Sequence, residues 1–245
     1  MKKVTYLSVI FTLMLLLVGC RDNNSSNTTT ITAVDGYIKD ANFTDDVGQI
    51  GVYTSKGKYS FSLPLIYPLH LNGGVLEDTE ASFDIEMILE DGSIISPITT
   101  FIYNNSSLQT KLAIALSISD TLDSFSIDYI EENNADLAKL SQLLYAIQKD
   151  ENLLNAFKID LSAGIPANLD DIFTLAEGTI NSTMGDYAQS YNNFLNKVKS
   201  LGGVVSDYET NLETEKALLG YIYHNENVYK TVTSPYTGKV WLDRN

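Results

Sequence analysis

Residues 83–97 read Phe83-Asp84-Ile85-Glu86-Met87-Ile88-Leu89-Glu90-Asp91-Gly92-Ser93-Ile94-Ile95-Ser96-Pro97. Phe83, Ile85, Met87 and Leu89 alternate with Asp84 and Glu86, the period of a strand with one buried and one wet face. Glu90-Asp91-Gly92-Ser93 then turns the chain into Ile94-Ile95. At Ser96-Pro97 the period changes, and apolar residues begin to fall at helical spacing. Leu137, Leu140, Leu144 and Ile147 follow a candidate N-cap, Asn134. Leu169, Ile172, Phe173, Ala176 and Ile180 follow another, Asn168, with Asp170 and Asp171 in the favourable first turn. Tyr187, Tyr191, Phe194, Leu195 and Val198 form a third stripe, stopped by Gly202-Gly203. A fourth, less regular, runs through Leu212, Leu219 and Ile222. Upstream, Val52-Tyr53-Thr54 and Tyr59-Ser60-Phe61-Ser62-Leu63 flank Ser55-Lys56-Gly57-Lys58, a hairpin signal. The pattern predicts an α+β fold: a small antiparallel β-sandwich over residues 31–96, then a helical region of about four helices over residues 97–225.

Short matches add a resemblance in the strand-rich part. Val34-Asp35-Gly36-Tyr37-Ile38-Lys39-Asp40-Ala41 resembles the opening of transthyretin-like, carboxypeptidase-regulatory-like modules of bacterial surface proteins. Lys58-Tyr59-Ser60-Phe61, Asn72-Gly73-Gly74 and Ile95-Ser96-Pro97-Ile98-Thr99-Thr100 resemble later segments of that module. The resemblance implies a β-sandwich. Members often carry an Asp/Asn/Gly-rich calcium loop after the first strand. Here Asp40, Asn42, Asp45 and Asp46 offer some of the oxygen ligands for a weak cation site, fewer than the six to eight that calcium takes. A solvated acidic turn is the simpler reading.

The last residues carry a second resemblance. Thr231-Val232-Thr233-Ser234-Pro235-Tyr236-Thr237-Gly238-Lys239-Val240-Trp241-Leu242-Asp243-Arg244-Asn245 is similar to the start of the Fibrobacter succinogenes major paralogous domain. Residues 226–245 are therefore expected to be the truncated start of a C-terminal domain and the chain a fragment. As a first strand without sheet partners, that segment is expected to be poorly ordered.

The beginning of the chain bears on location. Met1-Lys2-Lys3 precedes an apolar run from Val4 to Val18, shorter than the ~20 residues of a spanning helix. Leu17-Val18-Gly19-Cys20 resembles the lipobox of bacterial lipoproteins, and Cys20 is the sole cysteine. The resemblance implies a signal peptide over residues 1–20, cleavage before Cys20, and lipidation of its thiol. Arg21, rather than Asp, follows the cysteine, which in that family favours the outer membrane over the inner. Residues 21–30, Arg-Asp-Asn-Asn-Ser-Ser-Asn-Thr-Thr-Thr, are polar and read as a flexible tether.

Composition narrows the partners. The net charge is −15, and two of the 16 basic residues lie in the leader. Such a chain repels nucleic acid phosphates and anionic headgroups. Catalytic signatures do not assemble. There are two histidines, His70 and His224, no Gly-x-Ser-x-Gly elbow and no His-Glu-x-x-His. Glu77, Asp78, Glu80, Asp84 and Glu86 cluster around one strand, but spacing alone does not place two of them across a cleft. The sequence reading is a non-enzymatic, lipid-anchored envelope protein without a cofactor, a stalk or adaptor for a C-terminal surface module. A glycan- or matrix-binding module, or an accessory to a carbohydrate-degrading enzyme, is the alternative. The membrane is the expected partner, with a glycan or surface protein the further candidate.

Overall fold

The computed structural model describes residues 27–224, 227–234, 237 and 239–243. The expected leader, with Leu17, Val18, Gly19 and Cys20, lies outside the described residues. Nine strands come first: β1 (Thr28–Ala33), β2 (Ile38–Lys39), β3 (Asn42–Thr44), β4 (Val52–Ser55), β5 (Lys58–Ser62), β6 (Leu69–Asn72), β7 (Val75–Leu76), β8 (Met87–Leu89) and β9 (Ile94–Ile95). They form three small sheets, ordered β4-β5-β1-β9, β3-β6-β8 and β2-β7. β1 begins inside the stretch read as tether, with Thr28, Thr29 and Thr30 opposite Ser62, Phe61 and Ser60.

The β4–β5 hairpin turns at Lys56-Gly57, both at positive φ (47° and 66°), as a two-residue hairpin requires. Tyr59 and Phe61 of β5 point inward. Phe43 of β3 meets each ring edge-on at 5.1 Å, locking the first sheet to the second.

Seven α-helices follow among the described residues: α1 (Pro97–Ile102), α2 (Ser106–Leu116), α3 (Ala135–Gln148), α4 (Glu151–Ala163), α5 (Leu169–Thr183), α6 (Ala188–Ser200) and α7 (Tyr208–Ala217). Side chains cap five of them. Ser96 and Thr99 form a reciprocal capping box with Pro97 at the first position. Asn105, Asn134, Asp150 and Asn168 each accept a backbone N–H three residues on.

The expected small antiparallel sandwich followed by about four helices is not what forms. β1 runs parallel to β9, so the first sheet is mixed. The strands, two to six residues long, divide among three small sheets instead of two antiparallel layers. Buried strand residues continue instead into the helices as one core. Three helices escaped the periodicity reading for identifiable reasons. α1 has six residues, too few to show a stripe. α2 buries only Leu108, Leu112, Ala113 and Ala115. α4 buries one residue per turn, Leu153, Phe157 and Leu161, and only Lys149 and Asp150 separate it from α3. Ile222, read with the fourth stripe, belongs to a strand.

That strand, β10 (Ile222–His224), pairs with β11 (Asn227–Thr233), which pairs in turn with β12 (Val240–Asp243). The expectation of a strand without partners is corrected: β11 is flanked on both sides. The Tyr187 hydroxyl donates to Thr231 Oγ1 at 3.4 Å, and Gly220 N donates to Ser190 Oγ at 3.3 Å. These bonds tie the small sheet to the helices.

Candidate functional site: a buried lysine between two carboxylates

The turn after β1 carries Asp35-Gly36-Tyr37. Asp35 is fully buried and faces α3 and α7. On α7, Glu209 and Lys216 are seven residues apart and share a face. Lys216 Nζ lies 2.5 Å from Glu209 Oε2 and 3.4 Å from Asp35 Oδ2, with its side chain 8% exposed. From α3, Gln142 Nε2 donates to Asp35 Oδ1 at 2.7 Å and to Glu209 Oε1 at 2.5 Å. The same ammonium sits 4.3 Å from the centre of the Tyr145 ring, a cation–π contact strengthened by burial. Tyr129 closes the underside, donating to Val34 O at 3.0 Å beside Ser141 Oγ at 2.8 Å.

Gly36 belongs to this arrangement. Its φ is +81°, and a Cβ there would stand 2.0 Å from Glu209 Cγ. The turn can approach α7 only because it has no side chain at that point.

A cleft of about 390 Å³ opens above, between the segment around Phe83 and Asp84, α3 and α7. Glu209 and Lys216 form part of its wall, with Lys149, Glu213 and Lys230 also lining it. The Tyr145 hydroxyl donates to Asp84 Oδ1 at 2.9 Å, and Lys149 pairs with the other Asp84 oxygen.

Burial decides the electrostatics. Asp35 is pushed up to about 7, because desolvation outweighs the opposing pull of Lys216. Desolvation pulls Lys216 down, but Asp35 and Glu209 together hold it above the ordinary lysine range. Burial, then Asp84, keeps the Tyr145 phenol far above its usual value. Lys216 is therefore an ammonium, not a free amine, and offers no nucleophile. Two ionised carboxylates around one ammonium leave a buried excess of one negative charge. A proton on Asp35 removes it. The chemistry here is the holding of charge and of one proton at the junction of strands and helices.

A pH dependence follows. The folded-state value of Asp35 lies above the ordinary 3.8, so the folded state binds this proton more tightly than the unfolded chain. The stabilising contribution is complete below about pH 4 and is lost as pH rises towards about 7. Asp35→Asn carries no titrating proton. Its urea midpoint relative to the unsubstituted chain should move in the variant's favour as pH rises through that window. A difference that stays flat with pH removes the assignment.

The residues singled out from the sequence go elsewhere. Asp45 is buried, and its carboxylate accepts from Val47 N at 3.1 Å, Gln49 N at 2.7 Å and Ile66 N at 3.3 Å. It is the staple of its own loop, with backbone amides on both oxygens where a cation shared with Asp40, Asn42 and Asp46 would need them. Among the described residues no three His, Cys, Asp or Glu side chains gather as a metal-binding group. The carboxylate cluster disperses to separate partners. Glu77 accepts from Tyr53 and Gly57 N, Glu80 pairs with Lys39, and Glu86 lies 3.2 Å from His70 Nδ1. Asp84 alone reaches the cleft. Sequence reasoning missed Asp35, Gln142, Glu209 and Lys216. The usable signal was the seven-residue spacing of Glu209 and Lys216 on the face that also carries Leu212. No protein-family model, curated protein or solved structure matches this chain.

Proposed function

We propose that this chain is a lipid-anchored protein of the cell envelope, held at Cys20, whose folded body acts as a non-catalytic stalk or adaptor presenting a C-terminal surface module. The observation that carries the reading is the run from Met1 to Cys20: two lysines, an apolar segment, and Leu17-Val18-Gly19 before the one cysteine. The single core running from the first strands to Leu219 supports it, because a body with one core holds the tether end and α7 in fixed relation. The Asp35–Lys216–Glu209 knot supports it too, by fastening α7, the last helix, to the first turn. The cleft itself is the observation behind a second reading, a glycan- or matrix-binding module on the same anchor.

The test is metabolic labelling with an alkyne palmitate in a bacterium that processes lipoproteins. The unsubstituted chain should carry the label and partition into detergent. Cys20→Ser should lose both, a complete loss and not a graded one. An unlabelled, aqueous-phase product from the unsubstituted chain overturns the reading.

A further inference from the structure

We propose that the end of the first sheet bearing Val47, Ile50, Val52, Leu63 and Ile66 lies against the surface of the phospholipid bilayer in which the Cys20 lipid is embedded. The proposal rests on the lipid-anchor reading above and adds how the body sits on that membrane.

These five side chains are exposed, Val47 at 71%, Ile50 and Val52 at 65%, Leu63 at 49% and Ile66 at 39%. They are gathered at one place by the backbone. Asp46 N donates to Ile66 O at 3.0 Å, and Gln49 Oε1 accepts from Ser62 N at 2.6 Å. Val52 opens β4 at the end of the sheet where β5 closes with Ser62. The loop carrying Val47 and Ile50 is fixed outward, because the buried Asp45 carboxylate takes the N–H groups of Val47, Gln49 and Ile66. A fold that spends a buried carboxylate on such a loop keeps its apolar tips from turning in. Scattered exposed apolar residues need no explanation, but a cluster of this kind marks a contact surface.

The occupant follows from chain length and charge. Leu63 N donates to Asn27 O at 2.8 Å, so the patch sits at the root of the tether. Residues 21–26 separate Asn27 from Cys20, and a chain of that length spans at most ~25 Å. The patch is thus confined near the bilayer whatever the tether's path. A hollow of about 630 Å³ beside it is lined by Leu63, Pro64, Leu65 and Tyr67 together with Asn27 and Thr29. In a chain of net charge −15, residues 59–76 contain no Asp, Glu, Lys or Arg, and nor do residues 47–55. Asp46 is the exposed carboxylate on the loop, Asp45 being buried. The acidic remainder is repelled by anionic headgroups; the uncharged end is the one able to approach.

The experiment uses the full lipidated chain in phosphatidylcholine vesicles, with a spin label at Ile50→Cys or Leu63→Cys and a control at Ile165→Cys, an exposed site beyond α4. Cys20 is acylated and takes no label. Relaxation by oxygen, which concentrates in lipid, is compared with relaxation by a water-soluble nickel complex. At positions 50 and 63 oxygen should prevail several-fold; at 165 the nickel complex should prevail. Labels at 50 and 63 that behave like 165 on protein floating with the vesicles overturn this proposal alone. Protein that does not float overturns the anchor reading and this proposal together. Spin–spin broadening at position 50 that vanishes on dilution with unlabelled protein assigns the face to a second copy and likewise overturns it.

Discussion

Lys216→Met is expected to lower the stability of the fold by about 3–5 kcal/mol near neutral pH, the usual cost of removing one partner from a buried ionic group. The side chain that replaces it fills similar volume and stacks on Tyr145, so lost packing is a small part of the effect. What remains is Asp35 and Glu209, both buried, facing each other across Gln142 with no cation between them. Each must then take up a proton or expel α7 into water. The loss should therefore shrink as pH falls, because protons replace the ammonium. Adding Glu209→Gln to Lys216→Met should recover part of it, since one uncompensated carboxylate has gone. Urea unfolding followed by circular dichroism at several pH values reads all three effects. A loss below 1 kcal/mol, or one independent of pH, would show that Lys216 behaves as an ordinary surface lysine.

The same knot shows what can be read from one-dimensional pattern. The Val52–Ser62 hairpin was legible because alternation and the Lys56-Gly57 turn are both local. The caps at Asn134 and Asn168 were legible because the bond they make spans three residues. Pairing of β1 with β9 was not, since it joins residues some sixty apart through a strand of two residues. α4 was hidden by a stripe of one apolar residue per turn. The site was hidden by its chemistry. Charged residues on a helix face ordinarily mark the solvent side, so nothing in the pattern singles out Glu209 and Lys216. Their burial depends on Asp35, which stood out only as the first residue of an Asp-Gly-Tyr-Ile string. Asp45 was noticed for its oxygen atoms, yet the Val47, Gln49 and Ile66 amides that fill them become visible only once the loop is folded. The hairpin and the caps, set by residues a few positions apart, were legible; the site, whose strand-to-helix and helix-to-helix contacts span 67 to 181 positions, was not.

Gly36→Ala tests that long-range dependence most directly, and about 3 kcal/mol of destabilisation is expected. Two costs combine. An alanine held at φ +81° carries left-handed strain of roughly 1–2 kcal/mol. The new methyl group would also stand 2.0 Å from Glu209 Cγ and 2.8 Å from Glu209 Cδ. A flexible surface glutamate would swing aside, but this one is held by Lys216 at 2.5 Å and Gln142 at 2.5 Å. Moving it breaks the contacts that compensate its charge. The two contributions separate in a double-mutant cycle with Glu209→Ala, which removes the two closest atoms and leaves Glu209 Cβ at 3.1 Å. In that background Gly36→Ala should cost only its backbone strain, roughly 1–2 kcal/mol, and the difference between backgrounds measures the collision. Equal costs in the two backgrounds would mean that the turn and α7 do not touch in solution, and the proposed fastening of the last helix to the first turn would fall with them.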